Sequence, residues 1–175
     1  MKKTIVVFGL ISGAVSSVMM VSTMLAANRI GMDRGAIVGY TAIVLSFLLV
    51  YFGIRSYRDQ VGGGQVTFAK AFAVGIAITM ISCMFYVGTW EILYFNFMPD
   101  FLDKYNAHVL EKARAAGATA AQLQAKTEEL QKLRVMYDKP LINIAMTFME
   151  PFPVGLVITL ISAAILRRKT AAATT

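Results

Sequence analysis

The chain is poor in charged residues, cysteine and histidine, and each scarcity excludes a class of protein. Only 15% of its 175 residues are charged, whereas a soluble domain carries about 25%. A lone cysteine, Cys83, can form no internal disulfide, and with one histidine, His108, no zinc or iron ligand set is recognisable. No nucleophile–base arrangement is visible. The sequence therefore predicts a protein that is not an enzyme and holds neither a cofactor nor a metal.

Apolar residues, in contrast, make up 57% of the chain and form long runs. A transmembrane helix needs about 18 or more consecutive, mainly apolar residues. Four runs meet this length, at residues 4–27, 36–54, 68–98 and 141–166. The first is longer than the apolar core of about 7–15 residues in a secretion signal, so we expect an uncleaved helix. The sequence thus predicts four membrane-spanning helices.

The net charge of +7 comes largely from basic residues that flank these runs. Their position indicates contact with membrane lipids and not with nucleic acid. With both termini in the cytoplasm, eight of them face inward together with one acid, Asp59, and the positive-inside rule favours that orientation. Segment 99–140 then lies outside; its seven basic residues weigh against the orientation, but they are dispersed. The eight flanking residues are Lys2, Lys3, Arg55, Arg58, Lys70, Arg167, Arg168 and Lys169.

Segment 99–140 has the pattern of a helical hairpin outside the membrane. Asp100 is placed to cap a first helix and Gly117 to end it, while Thr119 and Gln122 match a capping box for a second helix. Each helix carries an apolar stripe, and we expect the two stripes to bury each other. Such a hairpin is either a simple spacer or a docking element for a partner protein. The stripes are Leu102, Tyr105, Val109 and Ala113, and Leu123, Leu130, Leu133 and Tyr137.

Small residues recur at every fourth position in the first two spans. Gly9, Gly13 and Ser17 form one such stripe, and Gly35 and Gly39 begin another. Small side chains let helix backbones approach closely, and this contact holds helices together in lipid. The pattern predicts packing within the monomer; dimerisation through it, giving a homo-oligomer, is the alternative.

The fourth span is interrupted by Pro151 and Pro153, which each remove a backbone donor and predict a kink near residues 149–153. Upstream of the kink, Asn143, Thr147 and Glu150 recur at intervals of four and three residues and so share one helical face. Carbonyl groups freed by the prolines need partners inside a membrane. A polar face beside a kink predicts the lining of a cavity.

A second intramembrane acid, Glu91, lies eight residues before the end of the third span at Pro99, and Glu150 lies ten residues after Pro140. Both carboxylates should therefore sit at a similar depth in the outer half of the bilayer. Intramembrane acids are costly and are functional candidates by default. Glu91 and Glu150, with Asn143 and Thr147, are accordingly candidates for handling a proton or a cation. The alternative is that they pin helices together through Tyr86, Trp90, Tyr94 or Asn143.

These motifs carry a resemblance to a family. The basic start with a glycine-spaced first helix, "GGGQVTFAKAF" before the third span and "MEPFPVG" in the fourth resemble the bacterial membrane proteins grouped as domain-of-unknown-function 4199. The resemblance covers nearly the whole chain. It implies a four-helix protein of a Gram-negative inner membrane, and it implies no activity and no functional residues.

The sequence as a whole predicts an all-α integral membrane four-helix bundle. We expect helices 1–3 in residues 1–98, the extramembrane hairpin in 99–140, helix 4 in 141–169 and a disordered tail in 170–175. The leading functional interpretation is a non-enzymatic scaffold that meets a partner protein through the hairpin. The alternative is a small transporter or channel subunit that uses Glu91 and Glu150, and four helices would then require an oligomer.

Overall fold

The structure of the chain, a computed structural model, describes residues 1–168 and is built of helices. Within those residues there is no strand, and one antiparallel bridge pairs Val66 with Arg168. The tail predicted at 170–175, like Lys169, lies outside the described residues. The helices are α1 (Lys2–Ile30), α2 (Met32–Gln60), α3 (Phe68–Asn96), α4 (Phe101–Ala115), α5 (Ala120–Tyr137), α6 (Pro140–Phe148) and α7 (Pro151–Leu166).

Four segments are long and apolar enough to cross a membrane, and the fourth of them combines α6 and α7. Large apolar side chains are exposed along all four segments, among them Leu10, Leu45, Met84 and Ile161. Such a continuous apolar exterior is compatible with lipid and not with water. The prediction of an all-α, four-span membrane protein is confirmed. The segments are Lys2–Ala26, Met32–Gln60, Phe68–Asn96 and Pro140–Leu166.

The second span is longer than its apolar run predicts. Helix α2 continues beyond residue 54 through Arg55, Arg58 and Asp59 and has 29 residues. Arginine is a good helix former, and no breaker follows until Gly62. A helix of that length measures about 44 Å, more than the hydrocarbon core of about 30 Å. The polar end of α2 therefore projects towards the head groups.

The spans form one bundle in which α2 and α3 each contact both α1 and α7. Phe47, Val50 and Ile54 of α2 and Val74 and Ile78 of α3 are fully or almost fully buried in its centre. Polar side chains inside the bundle are paired across helices. These pairs are Ser12 with Ser82 at 3.0 Å and Thr79 with Thr159 at 3.0 Å. Buried polar groups in lipid must find partners of this kind.

The extramembrane hairpin consists of α4 and α5, as predicted, and its turn follows from local residues. Gly117 has φ +82°, and the N–H groups of Gly117 and Ala118 bond to the carbonyls of Arg114 and Ala113. This is a Schellman motif, in which glycine is favoured. Thr119 and Gln122 then form the predicted capping box, with the Gln122 N–H donating to Thr119 Oγ1. The chain therefore reverses within a few residues.

The prediction that the Asp100 side chain caps α4 was wrong. Asp100 occupies the N-cap position, but its side chain makes no capping hydrogen bond. It instead pairs with Lys104 one turn later, at 2.7 Å. The hydrogen bond from Lys104 lowers the pKa of Asp100 below its usual value. The ammonium group is thus the stronger competitor for this exposed carboxylate.

The predicted apolar seam of the hairpin is confirmed only in part: Leu130 is buried between α4 and α5. Leu102 is buried, but it packs with Met20, Trp90 and Tyr94 of the bundle, and Tyr105 is exposed. The start of α4 therefore packs against the spans, in a cluster that Tyr137 at the end of α5 also contacts. Between α4 and α5 lies a partly open cavity of about 320 Å³, lined by two leucines and five polar or charged residues. Its lining consists of Asp103, Asn106, Leu110, Thr127, Leu130, Gln131 and Arg134.

The two ends of the bundle differ in what they carry. At one end the hairpin meets the start of α2, where Asp33 Oδ1 lies 2.8 Å from Lys112 Nζ and 3.2 Å from His108 Nε2. At the other end the Arg168 N–H donates to the Val66 carbonyl at 2.9 Å. The hairpin and the α1–α2 turn therefore share one side, and the α2–α3 loop and the end of α7 share the opposite side.

Candidate functional site

The candidate site surrounds a break in the fourth span. Helix α6 ends at Phe148 and α7 begins at Pro151, so the break falls at Met149 and Glu150. The Glu150 N–H donates to the Thr147 carbonyl at 3.3 Å, which supplies a partner to the carbonyl that Pro151 would leave free. Pro153 lies in the first turn of α7, where N–H groups have no intrahelical acceptor. Pro153 is therefore compatible with the start of α7 and causes no second kink.

Asn143 is the centre of a buried hydrogen-bond network above this break. Its side chain has no exposed surface, and its Oδ1 accepts from Trp90 Nε1 at 3.2 Å and from Thr147 Oγ1 at 3.0 Å. Its Nδ2 donates to the Tyr137 carbonyl at 3.2 Å. The prediction that Asn143 and Thr147 line a cavity was wrong, because both side chains are buried among protein partners. The network joins α3, α5 and α6.

An aromatic ladder on α3 connects the network to the rest of the site. Tyr86, Trp90 and Tyr94 recur at four-residue intervals and so share one face. The Tyr86 hydroxyl donates to Glu150 Oε2 at 2.9 Å, and the Tyr94 hydroxyl donates to Asp138 Oδ1 at 3.0 Å. Each aromatic ring thus supplies one polar atom to the segment from the end of α5 to the break. The hairpin and the broken helix are held to the same face of α3.

Tyr137 and Asp138 are members of this cluster that the sequence did not point to. Tyr137 packs edge-on against Tyr94, with ring centroids 5.4 Å apart, and its hydroxyl lies 3.4 Å from Thr147 Oγ1. Burial raises the pKa of Tyr137, and the Glu150 and Glu91 carboxylates add to the rise. Their signal in the sequence was weak, because the hydrophobic periodicity assigned Tyr137 to the hairpin seam.

Glu91 and Glu150 differ in their surroundings. Glu150 is exposed at the bundle surface and held by Tyr86. Glu91 is partly buried, and its Oε1 is enclosed without a hydrogen-bond partner among the described residues. No hydrogen bond joins the two carboxyl groups within residues 1–168, although both act electrostatically on Tyr137. In that same part of the chain no three His, Cys, Asp or Glu side chains are grouped to hold a metal ion.

The small residues of α1 face α3 in register. A Cβ atom on Gly9 would meet Ile81 at 2.8 Å, and one on Gly13 would meet Phe85 at 2.6 Å. One turn further, Ser17 Oγ lies 2.7 Å from Thr89 Oγ1. These side chains let α1 and α3 run in close contact.

The small residues of α2 behave differently. A Cβ atom on Gly39 would meet nothing within 4 Å, and one on Gly35 would meet only Ile30, at 3.9 Å. The prediction that this stripe packs within the monomer was therefore wrong. Close packing of α2, α3 and α7 uses three glycines that no periodic pattern marks, namely Gly53, Gly75 and Gly155.

Comparison with known proteins identifies a family and no individual relative. Neither a curated protein nor a solved structure matches the chain. The family described as "Protein of unknown function (DUF4199)" matches residues 7–168, a stretch that includes most of the first span, the other three spans, the hairpin and the cluster around Asn143. The four-span bundle therefore belongs to the DUF4199 family.

Proposed function

We propose that the protein is a non-enzymatic membrane protein that binds a partner protein through its hairpin. The observation that carries this proposal is an apolar patch on the outer side of α5. Val135 and Met136 are 62% and 45% exposed, and they lie in a shallow groove with Glu128, Gln131 and Lys132. Exposed apolar residues rimmed by polar ones are typical of protein contact sites.

The hairpin is also fixed in position, which favours a role in docking. Asp33 ties α4 to the start of α2 through Lys112, and Asp138 ties the end of α5 to Tyr94. An ion pair between Asp103 and Arg134 joins the two hairpin helices. A surface that is already ordered loses less conformational freedom when it binds.

The proposed location is a bacterial inner membrane, with both termini in the cytoplasm and the hairpin outside. Seven of the described basic residues lie at the end opposite the hairpin, together with one acid, Asp59. The positive-inside rule favours the cytoplasm for that end, and the family resemblance supports the bacterial inner membrane. The seven are Lys2, Lys3, Arg55, Arg58, Lys70, Arg167 and Arg168.

One experiment tests both the docking surface and the orientation. A cysteine replaces Glu128 at the rim of the patch, and intact cells are treated with a small, membrane-impermeant maleimide that carries a photo-crosslinker. We expect labelling from outside and, after illumination, one defined cross-linked protein. Val135→Glu should abolish that cross-link, since it places a charge in the apolar contact, whereas Ala121→Glu on the same helix should leave it unchanged.

The outcomes separate the two parts of the proposal. Labelling only after permeabilisation would overturn the orientation. Efficient labelling without a defined cross-linked protein, or an equal effect of both glutamate substitutions, would overturn the docking role. The wild-type chain is the labelling control, because its single cysteine, Cys83, is fully buried.

A second candidate function, transfer of a proton or cation by an oligomer, is favoured by the two intramembrane acids. An enclosed carboxylate oxygen without a partner, as at Glu91 Oε1, is costly in a membrane. Glu150 is exposed beside the helix break and is oriented by Tyr86. Together these acids offer sites at which a proton or cation could be exchanged.

Glu150→Gln tests this second function. An amide keeps an acceptor for the Tyr86 hydroxyl but cannot titrate, so the variant should fold and lose all ion flux in liposomes that contain a pH-sensitive dye. Glu111→Gln, on the exposed side of the hairpin, should retain the flux of the wild type. A wild-type flux no greater than that of empty liposomes, or an unchanged flux in Glu150→Gln, would exclude this function.

A further inference from the structure

The end of the bundle opposite the hairpin carries three arginines around a single carboxylate. Asp59 Oδ1 lies 2.7 Å from Arg58 Nε, and Asp59 Oδ2 lies 3.7 Å from Arg55 Nε. The backbone of Arg168 is bridged to Val66, seven residues after Asp59 in the chain. Three guanidinium groups against one carboxylate leave an excess of two positive charges at one place.

The backbone holds these arginines in a defined arrangement. Arg55 and Arg58 belong to the last turns of α2. The loop that follows folds back on α2 through the Gly64 N–H, which donates to the Arg58 carbonyl at 3.0 Å. Two residues later, Val66 accepts from the Arg168 N–H at 2.9 Å. The bridge between Val66 and Arg168 therefore brings the end of α7 to the end of α2.

The three arginines are not equally free to bind. The Arg58 side chain is only 13% exposed and is engaged by Asp59, whereas the Arg55 side chain is 55% exposed. Arg168 is also exposed. Arg55 and Arg168 are thus the two groups that can reach an outside ligand, and Arg58 neutralises the carboxylate that would repel an anion.

The two ends of the bundle differ in charge balance. On the hairpin side, ion pairs engage Lys104, Lys112, Lys126 and Arg134 with nearby acids. On the opposite side, Asp59 is the single acid beside the basic residues of that end, within residues 1–168. This excess charge lies where four spans leave the membrane, at the depth of the lipid head groups.

We propose that Arg55 and Arg168, with Arg58 neutralising Asp59 beside them, form a binding site for the phosphate of an anionic phospholipid in the adjoining leaflet. Guanidinium groups bind phosphate oxygens through paired, charge-assisted hydrogen bonds. Basic surfaces between transmembrane helices at this depth are suited to anionic head groups. The acyl chains of a lipid also keep its phosphate at the membrane surface, next to the site, whereas a free anion or a nucleic acid is not held there. The proposal depends on none of the hairpin contacts.

Lipid binding to the full chain in detergent micelles tests the site. Phosphatidylglycerol and phosphatidylcholine are titrated separately, and retained lipid is counted by native mass spectrometry. We expect phosphatidylglycerol to be retained in preference. The single variants Arg55→Gln and Arg168→Gln should each weaken phosphatidylglycerol binding about fivefold, because one basic residue near an anionic membrane surface contributes about 1 kcal/mol. The pair Lys126→Gln and Lys132→Gln removes the same charge from the hairpin and should have no effect.

Further arms of the experiment identify the ligand and the chemistry. Arg55→Lys with Arg168→Lys keeps the charge but loses the planar fork, so it should bind phosphatidylglycerol more weakly than the wild type and more tightly than the double variant Arg55→Gln with Arg168→Gln. Millimolar inorganic phosphate should not displace phosphatidylglycerol. If the wild-type protein retains the two lipids equally, the proposal is overturned, and this comparison requires no variant. Displacement by free phosphate, or an equal loss in the hairpin control, would overturn it as well.

Discussion

Asn143→Leu is expected to lower the free energy of unfolding by about 2–4 kcal/mol. The Asn143 side chain makes three hydrogen bonds, to Trp90, Thr147 and the Tyr137 carbonyl. Interhelical polar contacts in membranes are worth about 0.6 kcal/mol each on average, which gives about 1 kcal/mol for the two that join Asn143 to other helices. The indole N–H of Trp90 would then be buried without an acceptor, and an unsatisfied buried donor adds about 1–3 kcal/mol.

Reversible unfolding in mixed detergent micelles measures this effect. Asn96→Leu is the matched control, because Asn96 is exposed and its Nδ2 bonds only to the Ile92 carbonyl of its own helix. It should change stability by no more than about 0.5 kcal/mol. Equal stabilities of the two variants would show that the network around Asn143 does not hold α3, α5 and α6 together.

The features that the sequence predicted well depend on residues close together in the chain. The turn of the hairpin is an example, because its defining hydrogen bonds all lie between residues 113 and 122. The spans are a second example, since their length and apolar composition are local properties. Such features need no knowledge of which helices become neighbours.

The features that it missed depend on distant partners. Leu102 belongs to a cluster that includes Met20, some eighty positions earlier in the chain, and against which Tyr137 of α5 also packs. Tyr86 can bond to Glu150, and Trp90 to Asn143, only when α3 and the broken fourth span lie side by side. The spacing of Tyr86, Trp90 and Tyr94 showed that they share a face, but it could not show what that face meets.

The two small-residue stripes have the same sequence pattern but lie in different environments. Gly9 and Gly13 face α3, whereas Gly35 and Gly39 face outward. Both stripes have the same four-residue spacing, so the pattern alone cannot tell an interface from a surface exposed to lipid. Gly53, Gly75 and Gly155 allow equally close packing and have no periodic pattern at all.

Gly13→Val is expected to destabilise the bundle by about 2–3 kcal/mol, near the upper end of the cost of inserting extra groups into a packed core. A new Cβ atom would lie 2.6 Å from Phe85 Cγ and 2.8 Å from Phe85 Cβ. Rotating the Phe85 ring does not relieve the second contact, because its Cβ atom is attached directly to the α3 backbone. The two helices must therefore separate, which also stretches the pairs Ser12–Ser82 and Ser17–Thr89.

Gly39→Val gives the matched control, because the same side chain is added in the middle of a four-residue stripe but meets nothing within 4 Å. Its free energy of unfolding, measured in the same mixed micelles, should stay within about 0.5 kcal/mol of the wild type. Equal losses in the two variants would show that Gly13 does not pack against Phe85 as described. A loss in Gly39→Val alone, accompanied by a shift from a larger to a smaller particle, would instead assign the α2 stripe to a contact between two copies of the chain. In that case Gly35 and Gly39 of α2 would form a contact between two copies of the chain, and α1 would accommodate a larger side chain at Gly13.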